Sequence, residues 1–470
     1  MNTMRSGIPR TPGRSVTILL CGLVLCALGA AAAGAKDDDV KSLIIGASGV
    51  SDADADTARG KESLSLFDFY ALAVKNTERL ALEAEGAVQS QARRDQALGS
   101  FLPRLYLRGA YLFPQSESKM SSASTKSYVS LYARQPILTG LQELASYMAA
   151  RSDVKLREMN VRYAASQLLL DVASGYYRVI RAEKSLATSR EVLKLYRDML
   201  GEINYRVALG RSRPSESLRI NAQIFRLEAD ITALEDGLAD TRLVLGTLTA
   251  LGPDFRIAEI EVLPEPAYDP ATERTVVASR YDVLAAIQQI EVAKAGVLQA
   301  EGGHLPSVYL EGNYLLYQRH HTGTNYYGGL GVELPLFLGG ATSARVRESE
   351  SAQRQAELRL STVTRAAYED VQGAYRAWML SRREYEAYRK ALDSAQDEYK
   401  TSNYEFQMKL VTLLDLLTSL ASYQNAKDDY QQAALQFGFN RVRLGVAVNE
   451  FAGGGVAVLR NAASPRATEK

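Results

Sequence analysis

The fold is decided by residues 171–207, which read DVASGYYRVIRAEKSLATSREVLKLYRDMLGEINYRV. Apolar residues recur in this stretch at intervals of seven, at Val172, Val179, Leu186, Leu193, Leu200 and Val207. A sustained seven-residue period predicts an α-helix that packs lengthwise against others as a coiled coil. The surrounding residues 140–205 contain no proline, and one continuous helix over them would be about 100 Å long. A helix of this length cannot fold into a compact globule, so it must lie along neighbouring helices.

The same pattern occurs a second time in the chain. Its counterparts lie 199 positions further on, at Val371, Trp378, Tyr385, Leu392, Tyr399 and Phe406. Two short blocks that precede the helix also recur: Leu102–Tyr111 is repeated 203 positions later, and Pro136–Gly140 is repeated 199 positions later. Self-similarity at a fixed spacing is typical of a duplicated structural unit, here of roughly 200 residues.

Each copy has two predicted strands before its long helix. Apolar residues alternate with polar or charged ones in four segments, as in Leu105-Tyr106-Leu107-Arg108, Leu131-Tyr132-Ala133-Arg134, Leu310-Glu311 and Val332-Glu333. Such alternation is expected for strands between lipid and an aqueous lumen. Known membrane barrels need at least about eight strands, and lipid does not tolerate an open sheet edge. The four strands must therefore be pooled with those of other copies, and the periodicity leaves dimer, trimer and tetramer open.

The first 35 residues are predicted to be a secretory signal peptide. Arginines precede an apolar stretch at residues 16–28, and Ala33-Gly34-Ala35 is typical of a cleavage site. Both cysteines, Cys21 and Cys26, lie in this segment. Lipidation of Cys26 is an alternative, disfavoured because Leu25 stands where a small residue is preferred. Removal of the segment takes away three arginines and changes the net charge from +1 to −2.

The patterns together predict a mostly α-helical fold with a small β part, made of long antiparallel coiled-coil helices and four strands per chain. The predicted organisation is a signal peptide at 1–35, a linker at 36–63, a first repeat at 64–252, a linker at 253–277, a second repeat at 278–447 and a tail at 448–470. Each repeat opens with a helix. The first repeat then has strands near 104–113 and 127–135 and helices at 140–206 and 214–250; the second has strands near 307–317 and 326–334 and helices at 339–406 and 412–445.

The composition argues against catalysis and against a nucleic-acid partner. The chain has 3 His and 2 Cys, so the usual metal and nucleophile chemistries are short of residues, and we expect no enzyme activity and no cofactor. The 55 basic residues nearly balance the 54 acidic ones, which gives no reason to expect nucleic acid. Two function classes remain: a passive exit duct, or an exported structural coiled-coil protein without channel activity. The alternating strands favour the duct, because a structural rod needs no lipid-facing surface.

The ordered set of features, present in duplicate, resembles the TolC-like outer-membrane efflux proteins over Leu66–Val446. A helix-turn-helix signature of Tyr, Gly and an acid is kept in the first copy as Tyr205, Gly210 and Glu216. In the second copy it is Tyr404 and Asp415, with Lys409 in place of the glycine. Another family mark, Arg-Pro-Asp, is Arg280-Tyr281-Asp282 here.

The resemblance implies a homotrimer whose twelve strands form one barrel in outer-membrane lipid. Its helices would continue the barrel as a tunnel through the periplasm. The far tips would meet a periplasmic adaptor and an inner-membrane efflux transporter or ABC exporter, whose energy drives export through the duct.

The resemblance also nominates Asp415 and Glu216 as a periplasmic gate. Copies of these acids would ring the tunnel and narrow it or favour cations. The alternative is a capping role, because Thr412-x-x-Asp415 has the capping-box spacing and acids suit the first turn of a helix. Thr418 occupies the position that normally supplies a second gate acid, so the acidic ring is expected to be thin.

Two further sets of residues are candidates. The turns resemble tips that contact the adaptor, and the alternative is turn packing between helices; their residues are Leu209, Gly210, Arg211, Met408, Lys409 and Leu410. Charges of opposite sign occupy matched strand positions in the two copies and are expected to line the barrel lumen, where they stabilise the pore rather than select cargo: Arg108, Arg134, Glu311 and Glu333.

Overall fold

The computed structural model describes residues 37–111, 128–258, 263–318, 325–451 and 456–462. The predicted signal peptide with both cysteines lies outside these residues, as do most of the two predicted hairpin loops, strand positions 112, 113 and 127, and the end of the tail. The first half contains α1 (Asp37–Ser48), α2 (Asp52–Arg59), α3 (Leu66–Asn76), α4 (Glu78–Gly99), β1 (Arg104–Ala110), β2 (Tyr128–Thr139), α5 (Gln142–Ala208) and α6 (Pro214–Thr249). The second half contains α7 (Glu273–Ser279), α8 (Tyr281–Glu301), β3 (Ser307–Gln318), β4 (Tyr326–Glu333), α9 (Ala341–Gln407), α10 (Leu413–Ala447) and α11 (Ala457–Ala462), with 3₁₀ turns at Pro270–Thr272 and Gly302–His304.

The two long helices dominate the molecule, which confirms the predicted mostly α-helical fold. Helices α5 and α9 each contain 67 residues, and each would span about 100 Å. The predicted heptad positions face inwards: Val172, Val179 and Val371 are fully buried, and Trp378 and Phe406 are nearly so. The later positions of α5, Leu200 and Val207, are partly exposed and pack against the cluster that contains Phe406. The coiled-coil period therefore locates the packed seam correctly.

The helices form one elongated layer, since each long helix lies along its neighbours. In the half next to the sheet the order is α4, α5, α8 and α9, and in the other half it is α6, α5, α10 and α9. One apolar core fills the middle of the layer around Phe69, Tyr70 and Leu169. A second follows α5, α6, α9 and α10 to their far ends, around Ile203 and Leu420. None of the helices among the described residues is long and apolar enough to cross a membrane.

The four strands form one antiparallel sheet in the order β1-β2-β3-β4. The two hairpins have the same register: Arg104 pairs with Arg134 and Arg108 with Ser130 in the first, and Ser307 pairs with Glu333 and Glu311 with Gly329 in the second. One face of the sheet is apolar and largely exposed; it carries Leu105, Leu107, Leu310, Leu330 and Val332. The opposite face carries the charged side chains, as the alternation predicts. Within the described residues, the outer edges of β1 and β4 have no strand partner.

The segments expected to be linkers and tail are partly helical. Residues 36–63 contain α1 and α2, residues 253–277 contain a 3₁₀ turn and the first part of α7, and the tail contains α11. Their apolar side chains complete the middle core, among them Ala55, Ala58, Phe255 and Leu459. They have little periodicity of their own, and contacts with the duplicated helices stabilise them.

Candidate functional sites at the helix tips and on the strands

The turn between α5 and α6 is a Schellman motif built on a glycine. Gly210 has φ of +68°, a left-handed conformation that glycine adopts without steric cost. Its N–H donates to the Val207 carbonyl at 2.9 Å, and the N–H of Arg211 donates to the Arg206 carbonyl at 2.8 Å. These two bonds satisfy carbonyls that the end of a helix otherwise leaves unpaired.

The turn between α9 and α10 has the same backbone with a lysine in the left-handed position. Lys409 has φ of +62°, its N–H donates to the Phe406 carbonyl at 3.1 Å, and the N–H of Leu410 donates to the Glu405 carbonyl at 2.9 Å. A side chain in this conformation costs roughly 1–2 kcal/mol because its Cβ crowds the carbonyl that follows. The departure from glycine seen in the sequence therefore keeps the turn and adds strain.

Asp415 caps the helix that follows this turn. The Thr412 hydroxyl and backbone N–H donate to Asp415 Oδ2 at 2.7 and 2.9 Å, and the Asp415 N–H donates back to the Thr412 hydroxyl. The hydrogen bonds from the Thr412 side chain and then its backbone lower the pKa of Asp415. The capping alternative is therefore present in the structure. Glu216 is half-buried in the first turn of α6, whose cap residue Arg213 makes no side-chain capping bond.

The turns leave large apolar side chains in solvent. Leu209, Met408 and Leu410 are 49%, 55% and 73% exposed. The guanidinium of Arg206 lies 4.9 Å from the ring centroid of Phe406, so a cation–π contact ties the first turn to the second. This contact was not predictable, since nothing in the sequence pairs Arg206 with a residue of the other repeat.

The four strand charges share the polar face of the sheet. Arg108 lies 3.8 Å from the ring centroid of Tyr132, and the Tyr132 hydroxyl donates to Glu311 Oε2 at 2.9 Å. Arg134 stands directly opposite Glu311, with its guanidinium 3.9 Å from the ring centroid of Tyr309. The structure thus links Arg108 to Glu311 through Tyr132, while Arg134 contacts the ring of Tyr309.

Glu333 lies apart from the other three charges on the same face. It is opposite Ser307 near the open edge of the sheet. Tyr132 and Tyr309 were missed as site residues, although Tyr132 alternates with Arg134 and Tyr309 with Glu311 on the same face, which was a usable signal. A neighbouring glycine makes room for one of them, because a Cβ on Gly331 would lie 2.3 Å from the Tyr309 ring.

Arg280 holds the start of α8 against α9 and α10. Its guanidinium donates to both Asp282 oxygens at 3.1 and 2.8 Å, to Asp370 Oδ2 at 2.9 Å and to the Ala447 carbonyl at 3.0 Å. Burial alone would lower the pKa of Arg280; the bonds and charges of the two aspartates outweigh it and raise the pKa. The Arg-Tyr-Asp motif is therefore a structural anchor between repeat elements.

Comparison with known proteins agrees with this architecture. Residues 274–450 match the family described as "Outer membrane efflux protein". The chain is 25% identical over 409 residues to the outer membrane protein TolC of Vibrio cholerae, covering 79% of this chain and 89% of that protein. It is 22% identical to the alkaline protease secretion protein AprF of Pseudomonas aeruginosa, covering 80% of this chain and 82% of that protein. The crystal structure of the outer membrane protein VceC from Vibrio cholerae superposes with a TM-score of 0.72 at 19% identity, covering 83% of this chain and 96% of the other.

The long helical layer joined to a two-faced sheet, taken with the family match and the relatives, defines an outer-membrane channel protein with its helices in the periplasm. More narrowly, the chain is similar to the TolC-like outer-membrane efflux proteins, and it is an exit duct of an efflux or type I secretion system. Such a system includes a periplasmic adaptor and an inner-membrane pump.

Proposed function

We propose that three copies of this chain close into one channel that exports cargo across the outer membrane. Each repeat, at residues 64–252 and 278–447, would supply one hairpin and one long coiled-coil pair, so three chains give a twelve-stranded barrel and a helical tunnel. The observation that carries this proposal is the pair of open edges, β1 and β4, at the two sides of a sheet whose middle strands are fully paired. An open edge is not tolerated in lipid, and further copies of the chain supply the missing partners.

The apolar sheet face would contact outer-membrane lipid, and the charged face would line the lumen. Leu107 and Leu330 are exposed on the apolar face, where burial in lipid is favourable. On the charged face Arg108 and Arg134 make cation–π contacts with tyrosine rings, and Glu311 accepts a hydrogen bond from Tyr132. These contacts hold the charged side chains in place and are compatible with a water-filled pore. We assign these charges to pore stabilisation.

The two turns would form the periplasmic tip that meets the adaptor. Their exposed apolar residues, Leu209, Met408 and Leu410, need a partner surface, because the turn geometry is already satisfied by backbone hydrogen bonds. Gly210, Arg211 and Lys409 would present these side chains by fixing the turn. The contact between Arg206 and Phe406 supports a joint role, since it holds the two tips together.

Asp415 would contribute to a ring of acids at the tunnel entrance, with Glu216 at the equivalent position of the other repeat. Capping and gating are compatible, because both bonds from Thr412 go to Oδ2 and, among the described residues, Oδ1 accepts no hydrogen bond. A ring of such carboxylates would hold cations near the entrance. Thr418 stands where a second acid would be expected, so the ring would be thin, which is consistent with a duct that selects little by itself.

The proposed role of the tip is tested by Gly210→Val. A β-branched side chain is strongly disfavoured at φ of +68°, so the turn must change its shape. We expect loss of export, measured as retention of a fluorescent efflux substrate in cells, while oligomers still form. The matched control is Gly201→Val on α5, the helix that precedes the turn, where a Cβ meets nothing within 4 Å and export should persist. Normal export by Gly210→Val would refute the tip assignment.

Channel activity itself is tested by fractionation and single-channel recording of the purified protein. The expected results are recovery in the outer membrane and stepwise conductance in planar bilayers. A non-conducting product in the soluble fraction would favour an exported structural coiled-coil protein instead.

A further inference from the structure

The two hairpins of the sheet are related by a strict internal equivalence. A shift of 203 converts β1 into the first part of β3, and a shift of 199 converts β2 into β4. Under these shifts every residue pair of the first hairpin falls on an observed pair of the second, from Arg104–Arg134 and Ser307–Glu333 to Ala110–Tyr128 and Asn313–Tyr327. The backbone therefore repeats its strand pairing without a slip.

The pairing between the hairpins extends this equivalence to the open edges. Strand β2 pairs with β3 so that Arg134 stands opposite Glu311. The same shifts convert Arg134 into Glu333 and Glu311 into Arg108. If β4 of one copy pairs with β1 of the next as β2 pairs with β3, Glu333 stands opposite Arg108 of the neighbouring chain.

We propose that this pair sets the register of the seam between two copies of the chain, with Glu333 of one copy facing Arg108 of the next. The inference rests on the proposed closure of several copies into one barrel. The sign of each charge is reversed between the repeats, so both the internal contact and the seam bring unlike charges together. Unlike charges at directly opposed positions stabilise a strand pair, and like charges destabilise it.

The end of β4 shows what the missing neighbour would supply. Strand β2 continues to Thr139, because β3 pairs with it as far as Ser307. The equivalent residues 334–338 follow β4 without strand structure, since β4 stops at Glu333. Leu336 and Phe337 in this stretch are 89% and 86% exposed. In the seam register β4 would extend along the neighbouring β1 and cover these side chains in part, since their equivalents Ile137 and Leu138 beside β3 are 60% and 42% exposed.

The charges at the edges are likewise incomplete in one copy. Among the described residues the Glu333 carboxylate has no ion-pair partner, and Arg108 contacts the rings of Tyr106 and Tyr132 instead of a carboxylate. A second copy supplies the complementary charge to each. The site is therefore shared, with one residue from each chain.

Disulfide trapping tests the register directly. Opposed residues in an antiparallel pair have Cα atoms about 4.5–5.5 Å apart, within the range of roughly 4.4–6.8 Å that disulfides span. Both native cysteines precede residue 36, so the strands have none of their own. The variant Arg108→Cys with Glu333→Cys should form inter-chain disulfides under mild oxidation in membranes. The largest species on a non-reducing denaturing gel then counts the copies in the ring.

The control shifts one partner along the same face. Ala110→Cys with Glu333→Cys should cross-link at least several-fold less. Neither single-cysteine variant should give the series of disulfide-linked oligomers on the gel. A second register pair, Gly109→Cys with Val332→Cys on the apolar face, covers the case in which loss of the charges prevents folding. Cross-linking that is stronger for the shifted pair, or equal for both, would overturn the register.

Charge reversal supplies an independent readout of assembly. Arg108→Glu places like charges at the seam and should lower the assembled fraction in detergent several-fold, and adding Glu333→Arg should restore it. Intact oligomers with cross-links only in another register would refute the seam pair and leave the channel proposal standing. Monomers from the unmodified chain in membranes would instead remove the proposed function on which the pair depends.

Discussion

The two turns at the helix tips make opposite predictions for substitutions at equivalent positions. Gly210 and Lys409 both adopt left-handed φ values, of +68° and +62°. Gly210→Ala should weaken the first turn, and Lys409→Gly should strengthen the second. A Cβ on Gly210 meets nothing within 4 Å, so packing contributes nothing to the change in stability and backbone strain determines it.

The magnitude follows from two opposing contributions. A side chain in the left-handed region costs about 1–2 kcal/mol. Replacing glycine by alanine also removes unfolded-chain entropy, which offsets about 0.4–1 kcal/mol. The net effect is about 1 kcal/mol, destabilising for Gly210→Ala and stabilising for Lys409→Gly. Because 1.4 kcal/mol is a factor of ten, about a fivefold change in a local opening equilibrium is expected.

Amide hydrogen exchange of the assembled channel measures this local opening. The reporter amides are Arg211, which bonds to Arg206, and Leu410, which bonds to Glu405. Exchange at Arg211 should become about five times faster in Gly210→Ala, and exchange at Leu410 about five times slower in Lys409→Gly.

Two controls distinguish the effect of backbone strain from the effect of the residue type that is introduced. Gly237→Ala lies within regular α6 with nothing within 4 Å of the new Cβ, and it should slow exchange locally, since alanine favours a helix by about 1 kcal/mol over glycine. Lys409→Arg keeps both charge and strain and should change little. Changes of the same sign for Gly210→Ala and Lys409→Gly would refute the strain argument.

Three other features give further expectations. Thr412→Ala should cost about 1 kcal/mol of local helix stability by loss of the cap, seen as faster exchange in the first turn of α10. Because hydrogen bonds lower the pKa of Asp415, its contribution is complete above about pH 4 and is lost as the pH falls through the lowered value; exchange should show this loss, and Asp415→Asn should abolish it. Arg280→Met should lower the stability measured by thermal unfolding in detergent by about 2 kcal/mol, less than for a fully buried pair because one partner carboxylate is 42% exposed. Gly302→Ala places a Cβ 2.1 Å from a backbone oxygen and should reach the upper end of the ~1–3 kcal/mol cost of overpacking, whereas Gly296→Ala, with nothing within 4 Å, should be neutral or stabilising.

The fold was predictable where local periodicity carries it. The seven-residue spacing from Val172 onwards and the alternation around Arg108 or Glu311 are properties of neighbouring residues, and both agree with the observed burial and strand register. The helices in residues 36–63 were not predictable in the same way. Asp54 closes a local capping box with Ser51, a spacing that the sequence does show. The ion pairs of Asp54 with Arg460 and of Asp56 with Lys75, both at 2.6 Å, join residues far apart in the chain and leave no trace in local sequence.

The same distinction between local patterns and contacts of distant residues applies to the candidate sites. The charge positions on the strands followed from alternation and repeat matching. The contacts of these charges with tyrosines did not follow from the sequence, because a ring contact such as that of Arg134 with Tyr309 depends on the pairing of strands far apart in sequence. At the tips the sequence indicated a departure from glycine at Lys409 but not its consequence, since only the backbone dihedral shows that the turn is retained.

Duplication constrains the backbone of the two repeats more than it constrains their side chains. The two tips have the same Schellman hydrogen bonds, yet one combines Gly210 with an uncapped helix start and the other combines strained Lys409 with a capping box on Asp415. On the strands, Arg108 and Glu311 have equivalent positions and opposite charges. A tunnel closed by several copies would therefore alternate two kinds of tip and two signs of charge around its circumference. Replacing residues 404–415 with the sequence of residues 205–216 would keep the shared turn geometry and give both repeats the same tip, which removes the alternation of tips. Loss of export with intact assembly would then locate adaptor recognition in the difference between the tips. Unchanged export would mean that the shared turn geometry is sufficient.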